Sequence, residues 1–249
     1  ETRYIQADGS MVPIRSEEGR GLEYKENKLG IVFREEDIMR LPDKKSRIGK
    51  KHFVNSLGQG VGPFERLLKR RALECGSGRA KTVVFLSDGA DWIDRMRQRL
   101  FPESIHILDW YHAEEHLWNC AKAIFGETAS KKHMEWVTPL KKMLWEGLAE
   151  AVCERLLFEA ERYPRAQTKI RELYFYYKSR TVKMKYPEFR KKGYFIGSGA
   201  VESANKYLVQ ARLKQAGMKW TIPGASAVIR LREMIYEDSW EASWGRRAA

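Results

Sequence analysis

The chain has 249 residues, 43% of them hydrophobic and eight of them tryptophan, which excludes a disordered tail and allows a substantial buried core. Its 46 Lys and Arg outnumber 33 Asp and Glu, and the formal net charge of +13 favours a polyanionic partner. No apolar run approaches the roughly 18 residues of a membrane span, so we expect no membrane partner. Cys75, Cys120 and Cys153 lack paired spacing, which argues against a disulfide scaffold or zinc knuckle and predicts buried thiols in a reducing compartment.

Strand-like and helix-like patterns alternate in the first half of the chain. Strands are predicted at residues 2–9, 21–33, 51–57, 81–87 and 104–108, and helices at 63–74 and 91–100. The run 81–87 is almost continuously apolar and β-branched, as in a strand buried on both faces. The order of these elements is typical of a ribonuclease H-like α/β domain with a mixed sheet and helices on both faces.

The strand pattern disappears after residue 110. Helical spacing occurs at residues 110–125, 131–148, 149–162 and much of 166–186. We therefore predict a core that begins in residues 1–110, an all-helical insertion at 111–192, and a return to the core in 193–249. The returning segment is expected to contain a helix over 200–216, with Val201, Ala204, Leu208 and Ala211 as its buried stripe, and a C-terminal helix.

Three acids occur where strand or helix ends would direct them at a common point. Asp8 precedes Gly9 in an alternating run, Asp88 ends the apolar run 83–87, and Glu202 opens a helix after a Gly-Ser-Gly turn. Converging carboxylates cannot all stay ionised unless a cation neutralises them, and Mg²⁺ and Mn²⁺ prefer such oxygen ligands. In a basic chain, the expected substrate of such metals is the phosphodiester of a nucleic acid.

The basic excess is confined to two segments. Residues 40–81 hold twelve Lys or Arg, including Lys44 and Lys45, against three Asp or Glu, and residues 191–232 hold eight against one. Such focusing favours a binding surface over general solubility. The predicted DNA-contacting residues are Lys50, Lys51, Arg70 and Arg71 in the first segment, and Asn205, Lys206, Arg212, Lys214, Lys219 and Trp220 in the second. For Trp220, packing in the core is the alternative to stacking on DNA.

Five motifs follow one another in the order found in a known family. They are Asp8-Gly9-Ser10-Met11, Leu86-Ser87-Asp88-Gly89-Ala90-Asp91-Trp92-Ile93, Leu108-Asp109-Trp110-Tyr111-His112-Ala113 with Glu115-His116-Leu117-Trp118, the string GSGAVESANK over 197–206, and residues 210–220. Together they resemble a bacterial insertion-sequence transposase of the Mutator-like branch of the DDE superfamily. The resemblance runs from residue 2 to about residue 235, nearly the whole chain.

The resemblance implies a ribonuclease H-like core with a helical insertion before the third acid. It also implies two Mg²⁺ or Mn²⁺ ions, held by Asp8, Asp88 and Glu202 as catalytic acids, that cleave double-stranded DNA and support strand transfer. Such transposases usually act as homo-oligomers on paired DNA ends, in the bacterial cytoplasm and on the nucleoid. They also usually carry an N-terminal domain for the element's inverted ends. Because this chain begins at Glu1 and enters a predicted strand almost at once, we expect a fragment without that domain.

Asp109 and His112 match an auxiliary Asp-x-x-His motif of the same family. We expect this pair to orient groups beside the metals, with the Asp109 carboxylate accepting the His112 imidazole proton, and helix capping by Asp109 is the structural alternative. Asp109 also ends a buried strand and is therefore an alternative second acid, although bulky Trp110 and Tyr111 follow it. A zinc site made of Asp109, His112 and His116 is a further alternative, because histidines at i and i+4 share a helix face.

Two other functions remain open at this stage. One is a transposase-derived DNA-binding protein that no longer catalyses, against which the three intact acids argue. The other is a structure-specific nuclease of the same fold, which keeps the metals but lacks strand transfer.

Overall fold

The computed structural model describes residues 1–16, 21–40 and 46–245, so Lys44 and Lys45 lie outside the described residues. The chain forms two compact units. The sheet unit contains Glu1–Ile105 and Gly199–Ala249, and the helical unit contains His106–Ser198. The observed divisions fall after residues 105 and 198, where the sequence predicted residues 110 and 192.

A mixed β-sheet forms the centre of the sheet unit. Within the described part of this unit, its strands have the order β5-β2-β1-β6. They are β1 (Thr2–Arg15), β2 (Leu22–Arg34), β5 (His52–Leu57) and β6 (Thr82–Ser87), and β3 (Ile38–Arg40) and β4 (Ser46–Ile48) form a separate hairpin. A further strand, β7 (Ile105–Leu108), belongs almost entirely to the helical unit. β1 runs antiparallel to β2 and parallel to β6, and β2 runs antiparallel to β5. The predicted α/β class with a mixed sheet is confirmed.

Helices pack on both faces of this sheet. On one face, the apolar stripes of α1 (Val61–Glu74) and α2 (Asp91–Leu100) pack against Ile5 and Ala7 of β1. The resulting core includes Ile5, Ala7, Val32, Phe64, Leu68, Phe85, Ile93 and Met96. On the other face, α8 (Gly199–Ala204) contacts β1 and β2, and α10 (Ile222–Tyr236) contacts β5. The last helix, α11, spans Trp240–Gly245.

The predicted helix over 200–216 is not a regular α-helix. After α8 the chain forms a π-helix at Asn205–Gln210, and only Ala211–Leu213, α9, is α-helical beyond it. A π-turn holds more residues than an α-turn, so the buried face rotates relative to an ideal helix. As a result Ala211, predicted to be buried, is exposed, whereas Val209 and Leu213 are buried.

The helical unit consists of α3 (Trp110–Phe125), α4 (Lys131–Trp145), α5 (Ala149–Arg162), α6 (Gln167–Lys178) and α7 (Tyr186–Lys191). Its interior is built from apolar side chains at helical spacing, such as Leu117, Val137, Leu156 and Ile170. Tyr177 is fully buried, and its hydroxyl donates to the carbonyl oxygen of Ala113 at 2.6 Å. That bond joins α6 to α3 within the unit.

The cysteines and the apolar character of the helices can be compared with what the composition predicts. The three cysteines are buried and free, and burial raises the pKa of Cys75 to about 11, of Cys120 to about 12 and of Cys153 to about 11. Within the described ranges, none of the helices combines the length and the apolar character needed to cross a bilayer.

Candidate functional site

The register of the two parallel strands brings the first two acids level with each other. β1 pairs with β6 from Thr2 opposite Thr82 to Gln6 opposite Leu86. Continuing that register by two residues brings Asp8 opposite Asp88, immediately after β6 ends. Neighbouring strands lie roughly 4.8 Å apart and residues opposite each other share a face. The extended register therefore puts the two acids near each other at the carboxyl end of β6, where open α/β sheets form their ligand crevices, and the charge of Asp88 acts on Asp8.

The turn after β6 holds the Asp88 carboxylate at this end of the sheet. Its Oδ1 accepts a hydrogen bond from the backbone N–H of Ala90 at 2.8 Å. Between them, Gly89 has a φ of 88°, which glycine adopts without steric cost. Two small residues, Gly89 and Ala90, separate this carboxylate from the start of α2 at Asp91.

Asp8 is held by two donors, one on each carboxylate oxygen. Its Oδ1 accepts from the backbone N–H of Gly9 at 2.7 Å, and its Oδ2 accepts from Nδ2 of Asn205 at 2.5 Å. The other atom of the Asn205 amide, Oδ1, accepts from the Ser10 hydroxyl at 3.1 Å. Asn205 is only 2% exposed. Its amide therefore serves the first acid, in place of the expected contact with DNA.

Glu202 is positioned between two contacts that α8 and the π-helix make with β1. The backbone N–H of Val201 donates to Oε1 of the buried Gln6 at 3.1 Å. Asn205, one turn later, bonds to Asp8. Because Gln6 and Asp8 point to the same face of β1, these two contacts place the first turn of α8 over that face. The half-buried Glu202 lies on the segment between them.

The pKa of Asp8 is affected by the charges of the other two acids. Burial raises the pKa of Asp8 above its ordinary value, and the negative charges of Asp88 and Glu202 raise it further. The hydrogen bonds from Asn205 and Gly9 act in the opposite direction. Among the described residues, however, the three acids do not form a group whose ligand atoms all lie within 4.8 Å of one another. The three carboxylates therefore interact electrostatically, although their oxygen atoms do not form one tight cluster.

The predicted basic contacts all belong to the sheet unit, and most of them are exposed. Lys50, Arg70, Lys206, Arg212, Lys214 and Lys219 are exposed, whereas Lys51 and Arg71 are half-buried. Burial lowers the pKa of Lys51, whose Nζ lies 5.6 Å from the ring centroid of Tyr207. Arg70 and Arg71 pair with Glu74 at 3.7 and 3.4 Å, so part of their charge is already compensated.

Residues 201–220 follow β1 beyond the acids. Their last contact is at Trp220, whose carbonyl oxygen accepts from the backbone N–H of Arg15 at 2.7 Å. The half-buried Trp220 ring lies under the Arg212 guanidinium, 5.6 Å from its centroid. The segment that supplies Glu202 and Asn205 therefore also presents exposed cations.

Asp109 acts as a helix cap in the helical unit. Its Oδ1 accepts from the backbone N–H of His112 at 2.6 Å, at the first turn of α3, and its Oδ2 accepts from the backbone N–H of Ser198. The carboxylate is fully buried. The Asp109 carboxylate therefore caps backbone N–H groups, and the described contacts of the two residues do not include the expected bond from the His112 imidazole. The imidazole instead faces Glu115 at 3.7 Å.

The geometry weighs against a zinc site at Asp109, His112 and His116. Within the described ranges, these three side chains do not form a group whose possible ligand atoms all lie within 4.8 Å of one another. The His116 ring stacks near Tyr176 with centroids 4.1 Å apart, and burial, with the neighbouring His112, lowers the pKa of His116 to about 4. Its half-buried setting is that of a neutral packed histidine.

Comparison with protein-family models finds no match for this chain, and no curated protein matches it. The function of this chain is therefore inferred from its residues and their geometry.

Proposed function

We propose that this chain is the catalytic domain of a DDE transposase of the Mutator-like branch, with a ribonuclease H-like core. It would cleave phosphodiesters of double-stranded DNA and join the freed end to a target. The observation that carries the proposal is the arrangement of Asp8, Asp88 and Glu202 around one end of the sheet, where the charges of two acids act on the third. The motif order along the sequence supports the same reading.

The donor set fits hard divalent cations such as Mg²⁺ or Mn²⁺. Asp8, Asp88 and Glu202 offer only oxygen atoms, the ligand type these ions prefer. Positive charge there would offset both the burial and the repulsion from Asp88 and Glu202 that raise the pKa of Asp8. A pair of such ions, when bound, would activate water or a 3′-hydroxyl and stabilise the leaving oxygen.

The residues around the acids would keep this machinery in register. Asn205 and Gly9 hold both oxygens of Asp8, so its carboxylate has a defined orientation before any ligand arrives. The turn at Gly89 fixes Asp88, and the anchoring of Val201 on Gln6 fixes the start of the glutamate helix. The exposed cations on the same unit would bind the phosphates of a duplex independently of its sequence.

A metal-dependent cleavage assay tests the proposal. With Mn²⁺ and supercoiled plasmid, each of Asp8→Asn, Asp88→Asn and Glu202→Gln should lose nicking by at least about a hundredfold, the scale of losing one group that stabilises the transition state. DNA affinity and the melting temperature should change little. The matched control is Asp91→Asn, which removes an exposed acid at the start of α2 and should leave nicking intact.

The products separate the proposal from its alternatives. Joined donor and target DNA supports a transposase, whereas nicking without joined products identifies a nuclease of the same fold. DNA binding without metal-dependent cleavage by the unmodified chain would identify a non-catalytic DNA-binding protein. An amide variant that keeps near-normal nicking removes that acid from the site.

A further inference from the structure

The helical unit contains a cavity that none of the three acids lines. It has a volume of about 510 Å³ and lies among the end of α3, α4, α5 and the segment after α5. The residues that line it are Phe125, Lys132, Glu135, Trp136, Pro139, Leu140, Met143, Arg155, Glu159, Arg162 and Tyr163. Pockets for small ligands usually occupy roughly 300 to 1,000 Å³, so this one has the size of a ligand site.

Aromatic side chains form part of its wall. The rings of Phe125 and Tyr163 pack edge to face with centroids 5.6 Å apart. Trp136, 8% exposed, adds a third ring and belongs mostly to the core. Such rings offer flat surfaces against which a planar ligand stacks.

Two acceptors are available beside these rings. Glu159 is 1% exposed, and its carboxylate accepts from Nε of Arg155 at 2.7 Å and from Nε1 of Trp136 at 3.2 Å. A carboxylate has about four acceptor positions, so the two bonds leave capacity for a ligand's N–H groups. In α4, Pro139 has no N–H, which deprives the carbonyl of Glu135 of its helical donor.

Cationic side chains form the rim. Lys132, Arg155 and Arg162 line the cavity and are exposed, and the Arg162 guanidinium lies 5.4 Å from the ring centroid of Tyr163. They outnumber the two acids, Glu135 and Glu159, that line the same cavity. The rim is therefore suited to an anionic group.

We infer that this cavity binds a nucleotide. The base would lie against the aromatic wall, its N–H groups would donate to Glu159 and the Glu135 carbonyl, and its phosphate would pair with Lys132 and Arg162. A purely apolar ligand would leave the cations and the buried carboxylate unused, and an inorganic anion would use neither the rings nor the acceptors. The inference does not depend on catalysis by the three acids.

The first test measures binding of 2′-deoxyadenosine 5′-monophosphate to the full chain by titration calorimetry. We expect saturable binding, and weaker binding by roughly tenfold or more for 2-deoxyribose 5-phosphate, which lacks the stacking base. Arg162→Ala should weaken nucleotide binding by roughly tenfold, as expected for a lost charge-assisted contact to phosphate. Arg171→Ala is the matched control, because Arg171 is an exposed arginine on α6 that does not line the cavity.

A second set of binding experiments determines whether the cavity takes nucleotides from DNA or free nucleotides. The probes are a short duplex with one unpaired adenosine, the same duplex with an abasic site at that position, and the fully paired duplex. Preference for the unpaired adenosine that Arg162→Ala removes assigns the cavity to unpaired nucleotides in DNA. Binding of the monophosphate without such preference assigns it to free nucleotides.

Absence of both signals would overturn the inference, as would equal losses in Arg162→Ala and Arg171→Ala. Glu159→Gln tests the buried acceptor, and a thermal melt accompanies each titration because this side chain is part of the core. If that variant does not fold, the combined Lys132→Ala and Arg162→Ala variant, which changes only exposed residues, decides the outcome.

Discussion

Asn205 determines how the first acid is presented. Its amide links Asp8 to Ser10 from a position that is 2% exposed. It donates to the ionised form of Asp8 and so lowers a pKa that burial and two neighbouring acids raise. The residue therefore favours the carboxylate state that a metal site requires.

Replacing Asn205 by alanine should impair the acid site. We expect a loss of roughly 10- to 100-fold in Mn²⁺ affinity or in nicking activity, the range seen when groups that support metal ligands are removed. Without the donated hydrogen bond, the pKa of Asp8 rises further. As the pH falls, Asp8 is then protonated earlier, so the variant should lose nicking activity at a higher pH than the unmodified chain does. A pH–rate profile measures this shift of the acid limb.

The control for this prediction is Asn119→Ala, which removes an exposed asparagine on α3. It should leave both the metal affinity and the acid limb of the profile unchanged. If Asn205→Ala lowered activity with an unmoved acid limb, Asn205 would stabilise the fold without tuning Asp8.

At the scale of elements, the start of α3 depends on a single buried carboxylate. Asp109 caps the helix through the His112 N–H and also satisfies the Ser198 N–H, so it ties residues 109 and 198 together within the helical unit. Removing a helix cap costs stability, and so does leaving a buried N–H group without an acceptor.

Asp109→Ala should therefore lower the free energy of unfolding by about 2 kcal/mol or more, the sum of a lost cap and an unpaired buried N–H. Asp109→Asn should lower the free energy of unfolding by less, because the side-chain oxygen of asparagine can still cap His112. Only the bond from the Ser198 N–H is lost, since the amide nitrogen cannot accept it. Urea denaturation followed by circular dichroism measures the series. Glu150→Ala, which removes an exposed acid from the first turn of α5, is the control. Equal stability of the alanine variant and the control would contradict the capping role.

At the scale of the whole molecule, the proposed binding of duplex DNA depends on where the basic residues lie. The predicted basic contacts belong to the unit that holds the three acids, and most are exposed. Phosphate contacts release counterions, so duplex affinity should fall steeply with salt.

Neutralising one phosphate contact should reduce the salt slope of duplex binding by roughly one unit. We expect this for Lys206→Gln and for Lys214→Gln, with similar losses on unrelated DNA sequences, measured by fluorescence anisotropy across a salt series. Lys169→Gln removes an exposed cation of the helical unit and is the control. Unchanged slopes in both variants, or strong preference for one sequence, would contradict a phosphate-binding surface on the sheet unit.

The local pattern of the sequence was sufficient to predict the types of most elements. Apolar periodicity located β6, α1, α2 and the helices of the second half, because burial of one face is recorded in residues a few positions apart. Apolar periodicity was less accurate for the ends of strands. β1 extends to Arg15, past the predicted end at residue 9, because β2 pairs with it along its whole length, and that pairing is not a local property.

The arrangement of the site was decided by tertiary structure. Asp8 and Asp88 are level only because β1 and β6 pair in parallel in one register, and side-chain periodicity within a strand does not specify which residues of another strand lie opposite. Asn205, predicted to contact DNA, is likewise buried in a contact with Asp8, which lies 197 positions away in the sequence. The sequence by itself determined which chemical groups are present, whereas long-range pairing and packing determined which of them meet, because those contacts join residues far apart in the chain.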